Sequence, residues 1–223
     1  MVKSDYIVLD CETGGLDEKK NPITQFACVI LDGTTLKEID RWETFVKPYA
    51  DLVIEREALD KTMVTMSDIN SGIKLDLFAK TLVTFLESHR QKARIREMGR
   101  LVLVGHNVTF DMRFINEALR LAGYEKTLEE WVFPNIVDTF SLAKLSFATL
   151  KERNEKLNLG ACCDRAKIKL TDAHGAMNDV VATAELLRWY VRRLRSSRIG
   201  TNSDDMGGRM RGAEFFEFKC AAK

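Results

Sequence analysis

Tyr6-Ile7-Val8-Leu9 is a short β-type run that stops at Cys11-Glu12-Thr13-Gly14-Gly15, where the glycine pair predicts a turn. A second run, Ile23 to Leu31, ends at Asp32-Gly33, the favoured dipeptide of a tight hairpin; its partner, Leu36 to Val46, is stopped by Pro48. Three antiparallel strands therefore open the chain. Helical patterns follow. Glu55 to Met66 reads as a short helix and Ser67-Asp68 as a capping signal. Leu75, Phe78, Leu82, Phe85 and Leu86 then recur at helical spacing until the basic stretch His89 to Arg100.

Leu101-Val102-Leu103-Val104 is continuously hydrophobic and predicts a fourth strand buried on both faces. Thr109 to Ala122 reads as a helix with Phe110, Phe114, Ala118 and Leu121 on one stripe and Gly123 as its stop. That spacing assigns Phe110 and Phe114 to core packing ahead of stacking on bases. Asn135-Ile136-Val137 is a short fifth strand, after which the pattern is helical to about Arg195. Residues 196–223 are rich in Gly, Ser, Arg and Asp and read as a flexible tail, with Phe215-Phe216-Glu217-Phe218 as a docking segment. The expected architecture is an α/β sandwich: one domain over residues 1–195, a mixed five-stranded sheet, and helices on both faces.

Composition narrows the picture only a little. The chain has 223 residues, 45% hydrophobic and 30% charged, as in a soluble globular protein. Lys+Arg number 34 against 33 Asp+Glu, so any attraction for nucleic acid must be local. No apolar run approaches the ~20 residues of a membrane span, and the N-terminus has no signal-peptide anatomy. Five scattered cysteines without zinc-ligand spacing point to a reducing cytoplasm, and three histidines argue against a His-rich metal site.

Three segments carry candidate chemistry. Asp10 and Glu12 lie two apart at the end of the first strand, so both project from one face. Two adjacent acids repel, and a hard divalent cation, magnesium or manganese, is the natural counter-charge; an exposed turn with both acids in water is the bland alternative. Asp111 follows the fourth strand at the start of a helix, where an acid also suits the helix dipole without any function. Yet ligands in open α/β sheets gather beyond such strand ends. His174 and Asp179 open the last long helix. Each alone reads as a cap or a solvated acid, but their order after two other carboxylate signals argues for one shared site.

Together these residues resemble the DEDDh (DnaQ-like) 3′→5′ exonucleases. Asp-Cys-Glu-Thr-Gly-Gly-Leu at 10–16 is similar to the first motif of that family, and Gly-His-Asn-Val-Thr-Phe-Asp at 105–111 to the second. His-Gly-Ala-Met-Asn-Asp at 174–179 is similar to the third, with the spacing of the histidine branch. The resemblance spans residues 5 to 195, touches both the polymerase III epsilon-type proofreading enzymes and ribonuclease T, and implies a ribonuclease H-like fold. It implies that Asp10, Glu12, Asp111 and Asp179 hold two Mg²⁺ ions, with Mn²⁺ as a substitute. Asp10 would bridge the ions, and His174 would be the general base. It also implies that Thr13, Gly14, Gly15, Leu16 and Asn107 lie against the substrate. The expected partners are 3′ ends of DNA or RNA and a polymerase reached through the tail, with a ribonuclease T-like dimer as a further expectation. Gln25 departs from the glutamate that many relatives carry in the second strand.

Further readings concern the surroundings. His89, Arg90, Lys92, Arg94, Arg96 and Arg100 form one basic cluster, and Arg188, Arg192, Arg193, Arg195 and Arg198 another. Each is either a solvated helix face or a track for phosphates. His106 is expected to make a structural hydrogen bond, Cys11 to be buried on the opposite face from Asp10 and Glu12, and Asp138 to cap the next helix. The resulting expectation is a metal-dependent exonuclease releasing nucleoside 5′-monophosphates from single-stranded or frayed DNA. An RNA-trimming exoribonuclease and a polymerase-associated binding module are its rivals.

Overall fold

In the computed structural model, which describes residues 4–62, 64–94, 100–147, 156–169 and 175–196, β1 (Tyr6–Thr13) is the central strand of five. β2 (Ile23–Leu31) pairs antiparallel with β1, and β3 (Glu38–Phe45) antiparallel with β2. On the other side β4 (Val102–Gly105) runs parallel to β1, and β5 (Val137–Asp138) parallel to β4. The spatial order is β3-β2-β1-β4-β5, the mixed sheet expected from the pattern of runs.

Several boundaries differ from the periodicity. No two-residue hairpin forms at Asp32-Gly33. Asp32 Oδ1 accepts from the backbone N–H groups of Thr34 (3.0 Å) and Thr35 (2.7 Å), which organises a wider turn. Leu36 then takes the left-handed conformation (φ 57°), so β3 starts only at Glu38. Of the helix predicted from Glu55 to Met66, the described residues form only α1 (Arg56–Leu59), and α2 (Met66–Ser71) starts where that helix was expected to end. That start comes from Thr65, whose extended backbone opens α2 through a reciprocal capping box with Asp68. β5 begins two residues later than expected, at Val137, which pairs with Val104 while Asp138 pairs with Gly105.

Alternation along β1 separates two cores. Ile7, Leu9 and Cys11 pack with Phe26, Cys28 and Leu103 beneath α3 (Leu75–Arg94) and α4 (Thr109–Leu121). Phe78, Leu82, Leu86, Phe114, Ile115 and Ala118 supply the helical side of that layer. The stretch after β5, expected to be helical throughout, divides into α5 (Thr139–Phe147), α6 (Leu159–Ala166) and α7 (Ala176–Ser196). On the other face Val8, Ala27, Val29 and Val104 meet Val180, Ala184 and Leu187 of α7. Ala143 of α5 and Cys162 and Cys163 of α6 pack against the outer side of α7 at Ala182 and Leu186. All nine residues of β2 are buried, as a strand covered on both faces requires. Each large apolar side chain buried this way stabilises the fold by roughly 1.5–3 kcal/mol.

This layering decides where the chemistry sits. Odd-numbered β1 residues feed the α3/α4 core, so the even-numbered Asp10 and Glu12 emerge on the side of α7. Among the described residues no helix is long and apolar enough to cross a membrane.

Candidate active site

Asp10 and Glu12 stand at the C-terminal end of the central strand, and Asp179 stands in the first turn of α7. One carboxylate oxygen from each lies within 4.8 Å of the other two. Register supports this placement. The β1/β2 ladder slips between Glu12 and Thr13, with Glu12 opposite Gln25 but Thr13 opposite Ile23. Such a bulge bends the strand end and re-aims the side chains beside it. Asp111, in the first turn of α4, is buried, and its Oδ1 accepts a 2.9 Å hydrogen bond from the Cys11 backbone N–H. The second motif is thereby fixed to the residue between the two acids of the first. Cys11 itself is buried in the opposite core, as alternation predicts.

Electrostatics mark these acids as a set. Burial, followed by the charges of Asp111, Glu12 and Asp179, holds the Asp10 carboxyl well above the usual carboxylate range. Burial, with Asp179 adding to it, pushes Glu12 up to about 7. Burial also raises Asp111 to about 7, against the opposing pull of its backbone hydrogen bonds. Acids forced together out of water favour their protonated forms unless a cation replaces the proton. An all-carboxylate donor set fits a hard divalent cation, and Asp10, Glu12 and Asp179 are the group of described residues able to share one. His174 lies outside the described residues, one position before Gly175.

The turn after β1 is a rigid rim. Gly14 N–H donates to the Pro22 carbonyl (2.8 Å), its own carbonyl accepts from Glu55 N–H (2.7 Å), and Thr13 Oγ1 donates to the Gly15 carbonyl (2.6 Å). Asn21, 1% exposed, clamps the turn from below. Its Oδ1 accepts from Asp17 N–H, and its Nδ2 donates to the Val53 carbonyl and Glu55 Oε1. A Cβ on Gly15 would sit 2.5 Å from the Asn21 side chain, so glycine is required there by close approach. Leu16 is left 76% exposed at the tip. No motif announced Asn21; its only sequence trait is a position just before Pro22.

The second motif is held equally firmly. Asn107 has a left-handed backbone (φ 67°), which asparagine tolerates better than most residues, and its N–H donates to Asp138 Oδ1 at 2.8 Å. Asp138 also accepts from Phe140 N–H and Ser141 Oγ, capping α5 as expected. His106 makes structural bonds: Nε2 donates to the Leu157 carbonyl (2.9 Å) and Nδ1 meets Thr139 Oγ1 (2.9 Å). Phe114 is fully buried and Phe110 partly so, against that same core.

Among the described residues, several members of the basic clusters are engaged elsewhere in the fold. His89 is 2% exposed and pairs with Asp40 (2.9 Å), so it faces the protein and not solvent. Arg188 donates to the Leu36 carbonyl and pairs with Glu185, and Arg193 lies 4.2 Å over the Trp189 ring. Arg192 is sixteen residues along α7 from Ala176, roughly 24 Å at 1.5 Å per residue. Arg96 and Arg198 fall outside the described residues. Other cations were not singled out by sequence: Lys19 and Arg120 flank the buried Glu117, and Arg113 meets Glu18, together lining a cleft of about 440 Å³ beside α4.

Comparison with known proteins bears on the family and the fold. The RNase_T family model, described as Exonuclease, matches residues 7–187. A PolC-type DNA polymerase III of Oceanobacillus iheyensis is 30% identical over 202 residues, 91% of this chain but only 12% of that protein's length. E. coli exonuclease I in complex with a dT13 oligonucleotide has a TM-score of 0.69 at 20% identity, over 85% of this chain and 41% of that one. The zinc-bound form of the E. coli exonuclease I complex with single-stranded DNA gives 0.71 at 20% identity, over 88% and 42%. Those structures share the ribonuclease H-like fold described above. Because the family match runs from β1 into α7 and takes in every motif, the chain belongs to the DnaQ-like exonuclease family.

Proposed function

We propose that this domain is a metal-dependent 3′→5′ exonuclease that removes nucleoside 5′-monophosphates from single-stranded or frayed DNA ends. The observation that carries the reading is the convergence of Asp10, Glu12 and Asp179 within 4.8 Å, with Asp111 anchored to the Cys11 backbone beside them. In this reading the four acids hold two Mg²⁺ ions, for which Mn²⁺ can substitute. When bound, the ions relieve charge on the phosphoryl oxygens and make a water more acidic. His174 takes the proton of the attacking water. Thr13 and the Gly14-Gly15-Leu16 turn orient the terminal sugar and base, and Asn107 lies alongside. DNA is favoured over RNA because the PolC-type relative is a DNA polymerase and the exonuclease I neighbours hold DNA oligonucleotides. Association with a polymerase through residues 196–223 belongs to the same reading.

Incubation of 5′-labelled single-stranded DNA and RNA with Mg²⁺, or with chelator, tests it. The expected result is a DNA ladder shortened one nucleotide at a time, abolished by chelation. Immediate release of the label as a mononucleotide, or binding without cleavage, would overturn it. Shortening confined to RNA would assign the chain to RNA trimming.

A further inference from the structure

Gln25 is buried in β2, opposite Glu12 in the ladder, and its amide joins two elements. Oε1 accepts from the backbone N–H of Ala176, the first residue of α7, at 3.2 Å. Nε2 donates to Glu43 Oε1 of β3 at 2.8 Å. Both partners dictate the orientation. A backbone N–H only donates and an ionised carboxylate only accepts, so the oxygen must face α7 and the nitrogen Glu43. A glutamate could satisfy Ala176 but would oppose Glu43, and a leucine could satisfy neither.

The consequence lies three residues along the helix. Asp179 is in the first turn of α7 and is the ligand-type residue furthest in sequence from Asp10 and Glu12. Contacts of Val180, Ala184 and Leu187 with the sheet set the helix axis, but apolar packing is non-directional. The Gln25–Ala176 bond fixes the height and rotation of the first turn relative to the strand beside Glu12. Resting on the functional reading above, we propose that Gln25 is a positioning residue that sets the Asp179 carboxylate against Asp10 and Glu12 for metal, acting through the α7 backbone with Glu43 holding its amide in place.

The test uses Mn²⁺ alone as a calorimetric probe of the full chain, together with kcat and KM on single-stranded DNA. Partners outside a metal's direct ligands typically contribute 10–100-fold in affinity or activity. Gln25→Leu and Gln25→Glu are each expected to weaken Mn²⁺ binding and lower kcat about tenfold, with KM unchanged. The exchange Gln25→Glu/Glu43→Gln restores one donor and one acceptor across the pair and is expected to recover most of the loss. Wild-type Mn²⁺ affinity in Gln25→Leu, or an exchange variant no better than Gln25→Glu, would overturn the proposal. Amide hydrogen exchange at Ala176 separates it from the functional reading. If the wild-type chain neither binds Mn²⁺ nor cleaves, that reading fails. Loss of Ala176 protection in Gln25→Leu would still support the pinning of α7, and retained protection would overturn it.

Discussion

The buried carboxylate of Asp111 accepts a 2.9 Å hydrogen bond from the backbone N–H of Cys11, the residue between Asp10 and Glu12. Residues a hundred positions apart are thereby locked in register, and the acid of α4 shares the charge environment of the strand end. The acids of the site therefore act as one unit, and their removal should not be additive.

Loss of an acid and loss of the base should differ in kind. His174→Ala is expected to lower the rate about 10²–10⁴-fold and leave measurable hydrolysis, the usual contribution of a positioned base. Asp10→Ala and Asp179→Ala should leave no measurable hydrolysis, because the cations leave with the ligand. Single-turnover assays on a labelled strand check this; equal, small losses in all three variants would contradict the roles.

Without metal, the raised carboxyls should govern stability above pH 5. Glu12 and Asp111 stand at about 7 in the fold, above the ordinary values of 4.5 and 3.8. The folded chain therefore binds more protons than the unfolded chain between those limits, and stability falls as pH rises toward 7. In chelator the Tm should be higher by several degrees at pH 5.5 than at pH 8. Saturating Mg²⁺ should remove that slope, as thermal melts across the range would show.

Glu117 should behave in the opposite sense. Hydrogen bonds from Arg120 and Lys19 hold its carboxyl down at about 2, so its contribution is present above pH 4.5 and lost as pH falls toward 2. Glu117→Gln should cost roughly 1.5–3 kcal/mol, the scale of a hydrogen bond to a charged group. Because Lys19 lies on the loop that carries Leu16, the same variant should raise KM for single-stranded DNA more than it lowers kcat. Urea melts and steady-state kinetics measure the two effects.

Two glycines should separate rim geometry from backbone strain. Gly15→Ala must displace Asn21, itself held by three partners, and is expected to cost about 10–100-fold in kcat/KM. At Gly123 (φ 81°) a Cβ meets nothing within 4 Å, so Gly123→Ala pays only left-handed strain of about 1–2 kcal/mol and keeps its activity.

Much of the site was legible because it depends on period. Alternation along β1 placed Asp10 and Glu12 on one face and Cys11 on the other, and the strand-to-helix change after Val104 placed Asp111 in a first turn. What escaped the sequence depends on local hydrogen bonds that periodicity does not encode. The Asp32 side chain widened an apparent two-residue hairpin, and the Thr65–Asp68 box started a helix at Met66, where one was expected to end. Arg188 read as part of a solvated helix face or a phosphate track, whereas it bonds to the Leu36 carbonyl and Glu185. Gln25 stood out only as a departure from a pattern, since its partner Ala176 is 151 residues away.

Diffraction from crystals soaked in Mn²⁺, collected for anomalous signal, asks whether Asp10, Glu12 and Asp179 share a cation. Anomalous density enclosed by Asp10, Glu12 and Asp179, lost on Asp10→Ala, is the expected result. A crystal with saturating Mn²⁺ and no anomalous peak among those carboxylates would contradict it.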